Sequence, residues 1–140
     1  MIIFLGDFQG QTRLELPLFN SLVAAGFPSP AQDYIEQTLD LNELCIKHPA
    51  ATFFVRVLGE SMIEAGIFNG DVLVVDRSLD AIHGDIVVAA INGEFTVKQL
   101  QLHPRVQLNP CNGAFSPIML HDESELSLFG VVTNVVKKLR

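Results

Sequence analysis

The sequence predicts a mainly β fold: a small, twisted β-barrel or sandwich-like domain preceded by a flexible N-terminal arm. From residue 51 onward, short apolar runs of strand length follow one another closely. No helix-length crossover separates these runs, and the pair Asn92–Gly93 joins two of them. Short strands at close spacing, without crossover helices, are typical of all-β barrels and sandwiches.

Six runs in this second part of the chain have strand character. They are rich in β-branched and aromatic residues, and several are bordered by Asp or Gly. The runs are Thr52–Leu58, Asp71–Asp76, Asp85–Ile91, Glu94–Leu100, Arg105–Leu108 and Glu125–Val136. Asn92–Gly93 predicts a hairpin between the third and fourth, because a type I′ turn needs positive φ at both central residues.

The first part of the chain has a different character, with many glycines and prolines and few alternating runs. Pro28 and Pro30 push the residues before them out of the helical region, so the stretch around Ala25 and Gly26 should be extended. We expect three segments: a removable arm over residues 1–25, an extended or short helical connector over 26–50, and a β-rich domain over 51–140.

Two short helices are predicted within the connector. The pattern from Ala31 to Leu39 suits one amphipathic helix. A second should run from Leu41 to Ile46, because Asp40 can cap it and Glu43 follows three residues later, the spacing of a capping box.

Length and composition exclude several classes of protein. The 140 residues suit one domain with a short arm. The longest uninterrupted apolar run, Ile86–Ile91, is far shorter than the roughly 18 residues of a membrane span, and the N-terminal residues lack the features of a secretory signal. Cys45 and Cys111 are too few for a disulfide framework and predict buried thiols in a reducing cytoplasm.

The charge argues against direct binding to DNA. The formal net charge is −7, and only nine residues are Lys or Arg. Three of those nine lie within the last four residues, and between Asp33 and Glu94 eleven acidic residues face three basic ones. A DNA-binding surface needs clustered cations to neutralise phosphates, so we expect no direct contact with nucleic acid.

A candidate nucleophile follows the first predicted strand. Gly59, Glu60 and Ser61 interrupt the strand pattern with a turn, where the backbone amides of Glu60 and Ser61 could bind an oxyanion and the Ser61 hydroxyl could attack a carbonyl. An ordinary turn serine has the same pattern, and Ser61 alone does not separate the two interpretations.

Lys98 is the candidate base. It lies in a largely apolar strand, on the same face as Thr96 and Leu100 by alternation. An edge or snorkelling lysine is the ordinary interpretation. A desolvated lysine instead has a lowered pKa and, as a neutral amine beside a serine, acts as the general base of a Ser-Lys pair.

No other catalytic set and no metal or cofactor site is predicted. The four histidines are scattered and lack ligand spacing, and four aspartates at strand ends suit turn and cap roles. These residues are His48, His83, His103 and His121, with Asp71, Asp76, Asp80 and Asp85.

Several motifs together carry a family resemblance, which runs from about Pro17 to Arg140. Several of these motifs are highly specific. They are Phe27–Ala31, Asp40–Asn42, Gly59-Glu60-Ser61-Met62-Ile63, Asn69–Asp71, His83-Gly84-Asp85-Ile86-Val87, the run Gly93–Leu102, Ser116–Ile118 and Phe129–Val132. With these motifs the chain resembles the UmuD-like SOS mutagenesis proteins of the LexA-type, self-cleaving Ser-Lys peptidase family.

The resemblance implies a role for each matching position. Ser61 would be the nucleophile, Lys98 the general base, and Ala25–Gly26 the scissile bond. It further implies a cytoplasmic homodimer that cleaves itself when stimulated by RecA filaments on single-stranded DNA. The shortened product would join a UmuC-type translesion polymerase subunit in error-prone synthesis. No helix-turn-helix precedes the cleavage segment in this sequence, so repressor activity is not expected.

Two other functions stay open at this point. One is a non-catalytic, dimeric, β-rich interaction subunit of a DNA repair or polymerase complex, in which Ser61 and Lys98 are structural. The other, membrane proteolysis like that of signal peptidases, shares the Ser-Lys chemistry but would need a membrane anchor.

Overall fold

A computed structural model describes residues 2–7, 14–19, 35–120 and 126–140. The chain divides into two compact units. The larger contains residues 1–8 and 48–140, and the smaller contains residues 9–47. Each unit is built on its own antiparallel sheet.

The larger unit contains one eight-stranded sheet, in which every neighbouring pair is antiparallel. Its strands are β1 (Ile2–Asp7), β4 (Thr52–Val57), β5 (Val72–Asp76), β6 (Ile86–Ile91), β7 (Glu94–Gln101), β8 (Gln107–Asn109), β9 (Ile118–Met119) and β10 (Leu126–Val136). Their order across the sheet is β1-β4-β5-β10-β6-β7-β8-β9. Two single-turn 3₁₀ helices, Pro49–Ala51 and Ile63–Ala65, lie in the connections. The predicted mainly β fold is confirmed.

The predicted hairpin at Asn92–Gly93 is present between β6 and β7. Asn92 and Gly93 have φ of 51° and 80°, as a type I′ turn requires. Ile91 pairs with Glu94 across the turn, and the register continues to the pair Ile86 and Gln99. This register sets the position of Lys98 opposite Val87.

Both faces of the β6–β7 hairpin are covered by apolar side chains. Val88 and Val97 belong to one buried cluster with Val55 and Leu73, whereas residues on the opposite face pack in a second cluster. The second cluster comprises Val87, Ala89, Leu100, Leu108 and Val131. Burial on both sides explains why β6 reads as a continuous apolar run instead of an alternating one.

The sheet is strongly curved. Phe4 of β1 and Phe95 of β7 lie in strands that are not neighbours in the sheet, yet their ring centroids are 5.1 Å apart in an edge-to-face arrangement. The curvature agrees with the predicted barrel-like shape and encloses the first apolar cluster.

The N-terminal strand β1 was not anticipated by the sequence pattern. The sequence predicts only an arm for the first residues, but Ile2–Asp7 pairs with β4 at the edge of the large sheet. Five consecutive apolar or small residues give no alternation from which a half-buried strand can be recognised. The boundaries of the predicted arm and connector stay predictions.

The smaller unit contains β2 (Leu16–Phe19), β3 (Ile35–Leu39) and α1 (Leu41–Cys45). The helix predicted over Ala31–Leu39 is wrong in its described part, because Ile35–Leu39 pairs antiparallel with β2. A helix of nine residues is marginal alone, and the cross-strand pairing provides the backbone hydrogen bonds instead. The second predicted helix is present, with the Asp40 carboxylate accepting a hydrogen bond from the Asn42 amide at 3.0 Å.

Strand β10 joins the two halves of the large sheet, and Gly130 allows it to bend there. β10 pairs with β6 through its first half and with β5 through its second, with an irregularity in the register beside Gly130. A Cβ atom at Gly130 would lie 2.6 Å from Val75 Cγ1 and 3.1 Å from the Asp76 carbonyl oxygen. Backbone and a buried valine therefore leave no room for a side chain.

We expect Gly130→Ala to lower the free energy of unfolding by about 1–3 kcal/mol, the usual cost of overpacking a core. Gly113→Ala is the matched control, because a Cβ at Gly113 meets nothing within 4 Å. Urea denaturation of both variants checks the prediction. Equal midpoints for the two variants would contradict the close packing at Gly130.

Candidate active site

The turn after β4 positions Ser61. Gly59 has a φ of 108°, a left-handed conformation that favours glycine, and its amide donates to Asn69 Oδ1 at 2.9 Å. Met62, next to the serine, is buried in the first apolar cluster with 2% of its surface exposed. A buried anchor on one side and a fixed glycine on the other hold the serine at the end of the strand.

Residues 111–113 brace this turn from the other side. The Cys111 amide donates to the Ser61 carbonyl at 2.7 Å, and the Glu64 amide donates to the Cys111 carbonyl at 2.8 Å. Asn112 Nδ2 donates to the Glu60 carbonyl at 2.9 Å. The sequence does not predict this support, because a turn-forming stretch such as Asn109–Gly113 gives no signal that links it to a segment some fifty positions earlier.

Ser61 and Lys98 are brought into direct contact. Lys98 Nζ lies 2.9 Å from Ser61 Oγ, although 37 positions separate the two residues. Nζ also donates to Thr96 Oγ1 at 2.8 Å and to the Val97 carbonyl at 3.1 Å. Thr96 and Lys98 lie on one face of β7, as the alternation predicts. The involvement of the Thr96 hydroxyl was not predicted.

The surroundings of Lys98 favour a neutral amine. The side chain is half-buried, and no carboxylate among the residues that the structure describes lies within ion-pair distance of it. Burial lowers the pKa of Lys98 below its usual 10.5, an effect that an ionised Cys111 would oppose. Burial and the neighbouring Glu64 raise the pKa of Cys111 itself, while Lys98 lowers it. The uncharged thiol therefore gives the lysine no anion to pair with at neutral pH.

The contacts of Lys98 also determine where a neutral amine would direct its lone pair. A neutral amine has two N–H bonds and one lone pair. With the two N–H bonds given to Thr96 Oγ1 and the Val97 carbonyl, the lone pair remains for the Ser61 hydroxyl proton. Such an arrangement is suited to removing that proton.

The backbone amides predicted for an oxyanion site are available. Within the described ranges, the N–H groups of Glu60 and Ser61 donate to no protein acceptor. Both belong to the braced turn, and Glu60 is exposed. Two unpaired amides at a nucleophile are the chemical requirement for stabilising a developing oxyanion.

A cleft of about 550 Å³ lies near the β6–β7 turn, and neither Ser61 nor Lys98 lines it. Its walls come from β1, the β6–β7 hairpin and β9, through Ile2, Ile91, Asn92, Glu94, Phe95, Thr96 and Ile118. Thr96, whose hydroxyl contacts Lys98, links the cleft to the pair.

The other residues singled out in the sequence have local roles. The Asp71 carboxylate accepts a hydrogen bond from the Phe68 amide, and the Asp85 carboxylate accepts one from the Ile82 amide. Both aspartates therefore act in turns, as predicted. Burial alone would raise the pKa of Asp76, but hydrogen bonds from Ser78 and His48 outweigh burial and hold the pKa below its usual value.

Several features carry no further assignment. His83 stacks on His103 with ring centroids 4.2 Å apart. Across the described ranges, no three His, Cys, Asp or Glu side chains are grouped so as to hold a metal ion. No helix within those ranges is long and apolar enough to cross a membrane. The predicted cleavage bond Ala25–Gly26, like His121, lies outside the described residues.

Comparison with known proteins identifies the family. The model of the Peptidase S24-like family matches residues 17–133. SamA of Salmonella typhimurium is 49% identical over 140 residues, which is 100% of this chain and 98% of SamA. ImpA of Escherichia coli is 53% identical over 134 residues, 96% of this chain and 92% of ImpA. The LexA repressor of Sorangium cellulosum is 41% identical over 120 residues, 84% of this chain and 52% of the repressor. The chain therefore belongs to the Peptidase S24-like family, which confirms the resemblance to LexA-type peptidases drawn from its motifs.

Proposed function

We propose that the chain is a self-cleaving serine peptidase of the bacterial SOS response, which cuts its own Ala25–Gly26 bond. The observation that carries this proposal is the 2.9 Å contact between Ser61 Oγ and a half-buried Lys98 that has no carboxylate partner among the described residues. Membership of a peptidase family supports the same reaction.

The first half of the reaction forms an acyl-enzyme. Neutral Lys98 takes the Ser61 hydroxyl proton, and Ser61 Oγ attacks the carbonyl carbon of Ala25. The amides of Glu60 and Ser61 stabilise the oxyanion of the tetrahedral intermediate. When the intermediate collapses, the C–N bond breaks, and the Lys98 ammonium gives its proton to the departing amine of Gly26.

The second half releases the product. Lys98, neutral again, removes a proton from water, and the resulting hydroxide attacks the ester between Ala25 and Ser61. The ester C–O bond breaks, and Ser61 Oγ recovers its proton from the Lys98 ammonium. The products are a fragment ending in the Ala25 carboxylate and a shortened chain beginning with the Gly26 amine.

Two features of the cleavage segment suit this reaction. Small residues on both sides of the bond allow close approach to the backbone amides of the turn, and the neighbouring prolines favour an extended conformation. An extended backbone can lie across the Ser-Lys pair with its carbonyl carbon exposed to attack.

The biological setting that we propose follows the motif resemblance. RecA filaments on single-stranded DNA would stimulate the cleavage, and the shortened chain would serve a UmuC-type translesion polymerase as an accessory homodimer in the cytoplasm. The net charge of −7 supports a role exerted through proteins, because the chain lacks the cation clusters that hold phosphates.

Incubation of the purified protein at alkaline pH tests the chemistry. Wild type should cut itself slowly, and mass spectrometry should detect a fragment that begins at Gly26. Ser61→Ala and Lys98→Ala should both stay intact, since each removes one partner of the proton transfer. Ser116→Ala and Lys138→Ala, which alter exposed residues of the same types, are the matched controls and should cleave like wild type. Unchanged cleavage in Ser61→Ala would refute the assignment.

The rate of self-cleavage should rise with pH. The protonated lysine cannot accept the serine proton, and the lowered pKa of Lys98 places its loss of charge below 10.5. The rate should therefore increase through the Lys98 pKa and level off above it, as measured by densitometry of the two fragments over time. A rate independent of pH between about 7 and 10 would argue against Lys98 as the base, given the ordinary lysine value near 10.4.

A further inference from the structure

Strand β1 covers the edge of β4 in the large sheet. Ile2, Ile3 and Phe4 pair antiparallel with Val57, Arg56 and Val55. On its other side β4 pairs with β5, so β1 makes β4 an inner strand. Without β1, the edge of the sheet would be β4 itself.

Part of the hydrogen-bonding backbone of β4 faces β1. The Val57 amide donates to the Asp71 carbonyl, and the Val57 carbonyl accepts from the Gly70 amide, so Val57 faces the β5 side. Because these groups alternate along an antiparallel strand, those of Arg56 and Phe54 face β1. Loss of β1 would leave them open to another strand.

The side chain of Phe4 covers an aromatic cluster. Its ring lies 5.5 Å from Phe53, 5.1 Å from Phe95 and 6.1 Å from Phe129, measured between centroids. The Arg77 guanidinium lies 5.4 Å from the centroid of Phe129. Phe4 itself is 43% exposed, whereas Phe53 beneath it is only 3% exposed. Phe4 is therefore the outermost ring, and its departure would uncover the others.

The proposed cleavage would break the covalent link to this strand. Before cleavage, β1 belongs to the same chain as β4, which gives it an effective concentration of up to about millimolar. After a cut at Ala25–Gly26, the fragment would be held only by non-covalent contacts, those of β1 with β4 and those of β2 with β3, and dilution would favour its release.

We propose that β1 is a removable cover over a peptide-binding edge, and that the processed domain binds there an extended segment of a partner protein. This inference rests on the proposed self-cleavage. The segment would add to β4 as an antiparallel strand and place an aromatic side chain where Phe4 lies. An aliphatic side chain would occupy the position of Ile2, which packs against the first apolar cluster.

In the partner's segment, the residue at the position of Ile3, between the aliphatic and the aromatic residue, should be acidic. Ile3 lies directly opposite Arg56, whose exposed side chain has no carboxylate partner in the described part of the chain. An acidic side chain at that position would face the guanidinium across the strands and replace an exposed isoleucine. The peptide-binding edge of β4 thus favours a segment with the order aliphatic, acidic, aromatic. The charge complementarity with Arg56 lets such a partner bind better than the chain's own β1.

The full-length chain provides a test that needs no cleavage. In a Ser61→Ala background, Ile3→Pro removes the amide of Ile3 and should release β1 from the edge. The probe is a fluorescein-labelled synthetic peptide with the sequence of residues 1–10 carrying Ile3→Glu. Fluorescence anisotropy should give a Kd at least about tenfold lower for the released chain than for Ser61→Ala alone, as expected when a competing strand is removed.

Three comparisons make the result specific. Phe4→Ala in the peptide should raise the Kd by about tenfold, since the aromatic contact is lost. A peptide that keeps Ile3 should bind less tightly than the Ile3→Glu peptide. Hydrogen exchange should be faster in Thr52–Val57 of the released chain and slow again when the peptide is added, while exchange in β5 and β6 stays slow and shows that the fold is intact. Phe4→Ala in the chain is a second, milder way to release β1.

The inference would be overturned if the peptide bound with equal affinity to Ser61→Ala and to Ser61→Ala with Ile3→Pro. It would also be overturned if binding did not depend on Phe4 of the peptide. Dimerisation of the Ile3→Pro chain through the same edge, seen by light scattering, would show that the peptide-binding edge of β4 takes a second copy of the chain instead of a partner protein. Wild type that has cut itself adds a last test, because hydrogen exchange in Thr52–Val57 should be faster after the cut than before it; unchanged protection of β4 after the cut contradicts the removable cover. If wild type does not cut itself, the proposed function fails, while the peptide measurements still decide the docking site.

Discussion

The site depends on holding the amino group of one lysine partly out of water without giving it an anion. An ammonium in such a place exchanges its hydration for a few neutral oxygens and no compensating anion, so the neutral form is favoured more than in water. Lys98 meets this condition with two oxygen acceptors on its own strand and the Ser61 hydroxyl in front of it. A carboxylate at this position would restore the charge and remove the base, and no carboxylate of the described residues lies within ion-pair distance of Lys98.

The rest of the large sheet maintains that arrangement. The β6–β7 hairpin is covered on both faces, which determines how far the Lys98 side chain is buried. The braced turn of residues 59–64 places Ser61 in contact with it. Strand β10 passes from β6 to β5 and thereby joins the half of the sheet that carries the base to the half that leads to the nucleophile. The same sheet also connects the site with β1, whose Ile2 lines the cleft beside Thr96.

Local patterns in the sequence predicted much of this architecture. Asn92–Gly93 specifies its hairpin by the φ values that a type I′ turn demands, and Asp40 specifies the start of α1. The sequence could not show what long-range pairing decides: that Ile35–Leu39 forms a strand with β2 instead of a helix, or that Ile2–Asp7 completes the large sheet. Ser61 and Lys98 were recognisable as residue types, but their contact, and the support from Thr96 and Asn112, needed three-dimensional coordinates.

The most direct test of this account is the titration of Lys98 itself. NMR of the lysine side-chain amines in the Ser61→Ala protein, assigned by comparison with Lys98→Met, would follow its protonation in the folded chain and again in urea. The folded chain should titrate below 10.5, and the unfolded chain at the ordinary lysine value. The same apparent pKa in both states would show that the lysine is an ordinary surface cation and would contradict the proposed role as a general base.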